Sequence, residues 1–429
     1  MDGRAASQTI TDKISFLLEH GWKIHVLSAI TGSLDHRFPH QRLFAVGPSA
    51  FRFDIRHWCA LQFGRDWRYY LITFSVSIAL FPLIILERFF VGLSSQWSWT
   101  ISATLCGLIW VKKYDINLIY TSGGAWSAHA AGYCLKRLTG IKWIAEIHDP
   151  LVERHSKQLS KLRNSYSRET LFRGFLEKSI CQETATCWWF TEAALRHASR
   201  RNPSIKGRGF FVLPGAQEPD IRINYRPSEQ LIIGHFGSLS ESRSLSDTID
   251  ALAEFLSSFP SRRGYVKVHV FGGTLDKQSI KAIERNKLAD SVVEHGRVEF
   301  DRTTGLSGRR RINMMMQACD YLLLLHGSDP SCSEYIPSKF YEYWWARRPV
   351  LALVHKNRQL ERLVLSMSDQ NRVYRAADER KAGITMLIDA WDRWQDGTIR
   401  EFELRSSPIS PRGAVAKINE EINRRIKHV

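Results

Sequence analysis

The sequence predicts an α/β protein with two parallel-sheet lobes facing a cleft, the first lobe lacking its usual opening strand. Three observations lead there. Short apolar runs alternate with helix-length segments in two sets, one before residue 216 and one after 231. A polar stretch with two prolines, QEPDIRINYRPSEQ at 217–230, separates the sets as a linker. The stretch Ala318–Val354, ACDYLLLLHGSDPSCSEYIPSKFYEYWWARRPVLALV, reads as a complete strand–loop–helix–strand unit. At 429 residues and 44% hydrophobic content, the chain is long enough for two cores. The expected domains are 1–216, 231–400 and a tail, 401–429.

Taken in order, the chain opens on a loop and a helix, with Ile10, Ile14, Leu17 and Leu18 at helical spacing and Gly21 as the stop. Ile24–Ala29 follows as a strand. No apolar run precedes Thr9, so a central first strand is missing. Either the natural start lies upstream, or another segment such as Phe51–Arg56 takes that place.

Leu71–Leu86 is the most apolar region. The uncharged span from Tyr69 to Leu86 is at the lower edge for a membrane helix. Ser75, Ser77 and Pro82 interrupt it, and Arg88, Trp97 and Trp99 follow. A core or interface-lying helix is expected, with a spanning helix as the alternative. Ile101–Val111 continues as a second apolar helix.

A regular rhythm then sets in. Ile116–Thr121 and Lys142–Ile147 are strands around a helix at Trp126–Leu138, entered through the turn Ser122–Ala125. A helix follows the polar segment 154–168, then strands at Thr186–Thr191 and Phe210–Leu213. The second set has strands at 231–237, 265–273, 291–298, 320–326 and 350–354, with helices at 246–258, 276–285 and 306–317. The last helix, 414–427, is basic.

Lysine and arginine exceed aspartate and glutamate by 60 to 43, a formal charge of +17. That suits an anionic membrane surface, phosphorylated substrates or nucleic acid. The runs Arg309–Arg311, Arg347-Arg348 and Arg424-Arg425 lack the interleaved aromatics of a nucleic-acid groove, so they are expected as solvated faces and no nucleic acid is expected as partner. Seven cysteines without metal-ligand spacing read as buried thiols in a reducing cytoplasm.

Within the 318–354 unit, Pro337 suits the first position of a helix. The N–H groups of Ser338, Lys339 and Phe340 would then face an anion at the carboxyl edge of a parallel sheet. Lys339 adds a full charge, and Glu342 lies one turn on. That arrangement suits a nucleotide, with cation and N–H groups for the diphosphate and carboxylate for the ribose. A plain surface Lys–Glu pair is the competing reading.

Glu334 and Glu342, set between the two apolar strands, make this stretch resemble the donor-binding segment of glycosyltransferase family 4, retaining enzymes of the GT-B fold. IPSKFYEY is similar to members that build bacterial surface polysaccharides. The resemblance implies that Glu342 holds the ribose and that Glu334 lies near the transferred sugar and phosphate. It further implies a donor loop at Gly237-Ser238-Leu239-Ser240-Glu241-Ser242-Arg243, where the family pattern is Gly-Arg-x4-Lys. Here Ser238 stands at the Arg position and Arg243 at the Lys position, so one cation is missing and Lys339 is its substitute. Ser338 joins the donor site, and Gly3 is the tail of the family's Gly-rich first loop. Pro337 replaces a common glycine and removes one backbone contact to the sugar. His148 corresponds to a sugar-contacting residue, and Asp149 is either its hydrogen-bond partner or a turn cap.

The implied activity is transfer of a sugar from a nucleotide-sugar donor to a saccharide or lipid-linked saccharide, with retention. His148, Asp149, Arg243 and Lys339 are the implied catalytic residues. The resemblance implies no cofactor and no metal beyond the donor substrate. The expected location is cytoplasmic, peripheral at the inner membrane. A non-catalytic GT-B-like nucleotide-sugar-binding protein is the alternative.

Overall fold

The computed structural model describes residues 5–31, 34–152, 168–375, 380–399, 401 and 403–426. Gly3 and nearly all of the polar segment 154–168 lie outside them. The chain divides into two compact units, 1–213 with 412–429, and 214–411.

The first unit runs α1 (Ala5–Glu19), β1 (Val26–Ala29), β2 (His40–Leu43), α2 (Pro48–Phe63), α3 (Trp67–Phe90), α4 (Trp99–Tyr114), β3 (Leu118–Gly123), α5 (Trp126–Thr139), β4 (Lys142–Ile147), α6 (Arg168–Glu183), β5 (Thr186–Trp189), α7 (Glu192–Arg201) and β6 (Gly209–Phe211). β3-β4-β5-β6 form one parallel sheet, in that order. β1 and β2 pair in parallel with each other and, among the described residues, with no other strand. Phe51–Arg56 is not a strand: it lies inside α2, which Pro48 starts and Gly64, at φ 67°, ends. The alternation of charge and bulk in FRFDIR deceives, because Asp54 turns inward to accept from the Ala45 N–H at 2.8 Å.

The second unit runs β7 (Leu231–Gly237), α8 (Ser246–Ser258), β8 (Val266–Gly272), α9 (Lys277–Asn286), β9 (Val292–Gly296), α10 (Gly308–Ala318), β10 (Tyr321–Leu325), α11 (Lys339–Ala346), β11 (Val350–Leu353), α12 (Arg358–Met367), β12 (Arg372–Tyr374) and α13 (Arg380–Gln395). Its sheet is parallel, in the order β12-β11-β10-β7-β8-β9. The β-branched and leucine-rich strands are buried on both faces, as parallel strands covered by helices must be. α14 (Pro411–Ile426) belongs to the first unit, where Ala414, Ile418 and Ile422 pack on Ile144 and Trp188.

Residues 217–230, expected as a linker, are held against the second unit. Ile223 N–H donates to Gln317 at 3.2 Å, and Tyr225 bonds the Asp320 carboxylate. Not every basic run is a solvated face. Arg348 is buried, donates to the carbonyls of Cys319 and Asp320 at 2.9 and 3.2 Å, and stacks on Tyr225. The planar guanidinium ties the strand entry to the incoming segment, a packing role that sequence alone does not reveal. Of the cysteines, Cys106 and Cys134 are only partly buried; the other five are buried, and none is in a disulfide.

Candidate functional site

In the second sheet the chain leaves β7 toward β8 and β9 on one side, then returns to β10, β11 and β12 on the other. The β7/β10 boundary is therefore the topological switch point of the sheet, the place at which open α/β sheets bind their ligands. β7 ends in Gly237, paired with Gly272 of β8. A Cβ on Gly272 would lie 2.5 Å from the Gly237 carbonyl oxygen, so the backbones meet there without side chains.

His235 sits just inside this edge, buried, its Nδ1 3.1 Å from the Leu323 carbonyl. Its Nε2 has no partner among the described residues. Burial lowers its pKa to about 4, against a raising effect of the Leu323 carbonyl and with further lowering by Arg243 and Lys339. Both cations thus bear on one buried ring, which places them around the same edge.

The Arg243 loop is held on two sides. Ser240 and Arg243 exchange backbone hydrogen bonds at 3.1 and 2.9 Å, a tight turn. The Ser242 carbonyl accepts from Ser328, from its N–H at 2.7 Å and its hydroxyl at 3.1 Å, which ties the loop after β7 to the loop after β10. Arg243 Nε is buried without a partner among the described residues. The guanidinium also depresses His326, at the end of β10. Burial first, then His355 and Arg243, lower this ring's pKa to about 4 against the raising carbonyl of Cys332. His326 Nε2 donates to Cys332 O at 2.7 Å and Nδ1 accepts from the His355 N–H at 3.1 Å, so the network assigns the neutral tautomer.

α11 begins at Lys339, with Ser338 as its N-cap, rather than at Pro337. The Phe340 N–H is not free for an anion, because it donates to the Pro337 carbonyl at 3.0 Å in a tighter first turn. Lys339 Nζ pairs with Glu342 Oε2 at 2.6 Å, and both are partly buried. Ser338 and Ser238 are exposed. Glu334 is 2% exposed, in the 3-10 turn Pro330–Glu334.

The first unit carries a second polar cluster. Ser122, Glu146 and Trp188 are cross-strand neighbours on β3, β4 and β5. The Glu146 carboxylate, fully buried, accepts from Lys13 of α1, from Tyr120, from Ser122 at 2.9 Å, from Trp188 at 3.2 Å and from His148 Nε2 at 2.6 Å. Burial pushes this carboxyl up, but Lys13 and His148 together hold it well below the usual carboxylate range. His148 is nearly buried and stacks on Phe190 with ring centres 4.3 Å apart. Asp149 is exposed, and its carboxylate lies where a Cβ on Gly124 would be, 2.3 Å away, so Gly124 gives it room beside the Ser122–Gly124 turn.

Arg243, Lys339, Glu342 and Gly237 therefore gather at one sheet edge of the second unit, and His148 and Asp149 stand at an edge of the first. Among the described residues no three His, Cys, Asp or Glu side chains gather as a metal site. The reading of the sequence missed His235, His326, Glu146 and Lys13. A polar residue inside an apolar strand, as in LIIGHFG and KWIAEI, is the signal that was available. Lys13 carried none, since an isolated lysine on a helix looks solvated.

A pH prediction arises here. His235, His326 and His129 of α5 are all neutral in the fold, each with a pKa of about 4 set first by burial. In the unfolded chain the same rings take a proton near 6.5. Their contribution is complete above that value and is lost as the pH falls toward 4. For each ring, the gap between 6.5 in the unfolded chain and about 4 in the fold corresponds to about 3 kcal/mol once the pH is below both values. Denaturant midpoints should fall steeply from pH 7 to pH 4.5, and stability that stays flat across this window would show that the rings are not held neutral.

No protein-family model and no curated protein sequence matches the chain. Solved structures do. WaaG, a glycosyltransferase involved in lipopolysaccharide biosynthesis, aligns over 96% of this chain and 95% of its own, with TM-score 0.55 at 12% identity. A mutant of S. aureus TarM in complex with UDP aligns over 75% of this chain at TM-score 0.47 and 12% identity; the chain spans 56% of that protein. The UDP-forming α,α-trehalose-phosphate synthase of Burkholderia xenovorans aligns over 76% of this chain and 77% of its own, at TM-score 0.47 and 10% identity. The architecture is the GT-B fold, with parallel-sheet α/β lobes.

Proposed function

We propose that the chain is a glycosyltransferase that moves a sugar from a nucleotide-sugar donor to a saccharide or lipid-linked saccharide acceptor. Transfer proceeds with retention, in surface-polysaccharide synthesis. The observation that carries this reading is the placement of two cations at the switch point of the second sheet: Lys339, paired with Glu342 at the start of α11, and Arg243, on the loop that Ser328 ties to the end of β10. The GT-B fold supports it.

In this reading the donor diphosphate lies against Arg243 and Lys339, and the ribose hydroxyls donate to Glu342. Two fixed cations stabilise the charge that grows on the leaving diphosphate, and the neutral histidines beneath add no competing charge. Lys339 takes the place of the cation absent at Ser238. A leaving phosphate oxygen, rather than a protein base, receives the acceptor's proton. In the first unit, His148 contacts a sugar hydroxyl. With Nε2 turned to Glu146 at 2.6 Å, Nδ1 is the ring nitrogen left for the sugar. Glu146 positions that ring and fixes its tautomer.

The direct test is a thermal-shift screen of nucleotide sugars, followed by mass spectrometry of acceptor products. A shift with UDP or a nucleotide sugar and a glycosylated product support transfer. A shift without product or hydrolysis favours the non-catalytic binder, a reading favoured by the missing cation at Ser238 and by Lys339 being already paired with Glu342. No shift with any nucleotide sugar removes both. Glu342→Ala should weaken nucleotide binding by roughly 1.5–3 kcal/mol, the value of a charge-assisted hydrogen bond. Titration calorimetry with the nucleotide that shifts melting reads this directly, and unchanged affinity takes Glu342 out of the site.

A further inference from the structure

α3 is neither a core helix nor a mixed surface helix. Its 24 residues have a mean hydropathy of 2.1 in the most apolar window, and only 6% of that window is buried. Trp67, Leu71, Phe74, Ile78, Phe81 and Phe89 are 56–75% exposed and recur at helical spacing along one stripe. A continuous apolar surface of this length is far beyond the scattered exposed leucines of an ordinary protein.

Three further features say what covers it. Two hydroxyls on the helix are turned to its own backbone: Thr73 Oγ1 donates to the Tyr69 carbonyl at 2.7 Å and Ser77 Oγ to the Thr73 carbonyl at 2.6 Å. Exposed arginines stand at both ends, Arg65 and Arg68 on either side of Trp67 and Arg88 next to Phe89, in a chain of net charge +17. Aromatic side chains also crowd both ends, Trp67 and Tyr70 at one and Phe89 and Phe90 at the other. Arginine and aromatic ends around an uncharged apolar stripe match anionic headgroups over acyl chains.

We propose that α3 lies in the plane of one leaflet of an anionic lipid bilayer, with this stripe among the acyl chains. Length alone would let it cross, since 24 residues make about 36 Å against a hydrocarbon core of about 30 Å. Its connections argue otherwise. The far end is clamped to the lobe by Glu87, which accepts from Trp97 Nε1 at 2.7 Å and from the Ser49 N–H at 2.9 Å. The near end turns at Gly64 into α2, whose first turn is anchored beside that same Glu87. Crossing by α3 would drag α2 across as well. α2 has 16 residues, about 24 Å, and carries Arg52, Arg56 and His57. Tip-first insertion fails for the same reason, because Arg65, Asp66 and Arg68 form the tip. An in-plane helix leaves every one of these charges at the headgroups.

This inference is independent of any sugar chemistry. The test uses the full chain with vesicles of equimolar phosphatidylglycerol and phosphatidylethanolamine, and with vesicles of phosphatidylcholine alone. The chain should sediment with the anionic vesicles. Phe74→Ser/Ile78→Ser/Phe81→Ser, all at exposed positions, should reduce sedimentation by about tenfold or more with unchanged melting. Equal sedimentation of the triple variant overturns the proposal. So does a wild-type dimer that ignores vesicles and that the triple variant dissolves into monomers, which makes a second copy the occupant. For depth, Arg65→Cys is treated with a membrane-impermeant thiol reagent outside sealed vesicles, against the parent chain. Labelling of the new thiol supports the in-plane helix. Labelling only after detergent shows that α3 crosses.

Discussion

Glu146→Ala is expected to cost the first unit about 3–5 kcal/mol of stability, because it leaves the buried Lys13 ammonium without a counter-charge. Tyr120, Ser122 and Trp188 would lose their acceptor at the same time. The asymmetry between breaking and replacing a buried pair gives the control. Lys13→Met with Glu146→Gln removes both charges and should recover a large part of the loss. Denaturant unfolding of the single and double variants measures the coupling. If the single variant unfolds like the parent, the pair does not hold α1 to the sheet. Activity adds a second readout: the double variant, folded but with His148 no longer held by a carboxylate, should show an altered pH profile for transfer.

Arg243→Ala and Lys339→Ala should each lower turnover by about 10²–10³-fold, as for other groups aimed at charge that develops in the transition state. The two differ in a way that separates their roles. Arg243 Nε is buried and its loop is pinned by Ser328, so the guanidinium is in place before any ligand arrives. Lys339 is engaged with Glu342, so a ligand must share or replace that pair. Arg243→Ala should therefore act mainly on kcat, and Lys339→Ala on both kcat and KM, since it also frees Glu342. Arg243→Lys should restore part of the rate as a point charge without the fork. A silent Lys339→Ala would mean that Lys339 is not the second cation of the site.

The strand–helix rhythm was legible wherever burial is two-sided. DYLLLL and VLALV, short apolar runs bounded by turn residues, read as parallel strands under helices, and the structure has them as β10 and β11. It was not legible at β2, where HQRL carries no apolar run and is a strand only through its pairing with β1. FRFDIR, offered as a stand-in for the missing strand, is helical instead, inside a segment with a proline start and a glycine stop sixteen residues apart.

The candidate site divides in the same manner. The i,i+3 spacing of Lys339 and Glu342 placed them on one helical face by geometry alone, and the 2.6 Å pair follows from it. The helix entry did not follow, because whether the Phe340 N–H points outward or back to Pro337 depends on how tightly the first turn winds. For this protein, order along the chain determined which residues reach the carboxyl edges of the sheets. What meets there was decided only by tertiary structure. Lys13 and Glu146 are 133 residues apart, and Arg243 is 83 residues before His326. Nothing local encodes a buried charge's partner. It is set by the desolvation that makes an unpaired charge intolerable, and so only by what the fold brings within reach.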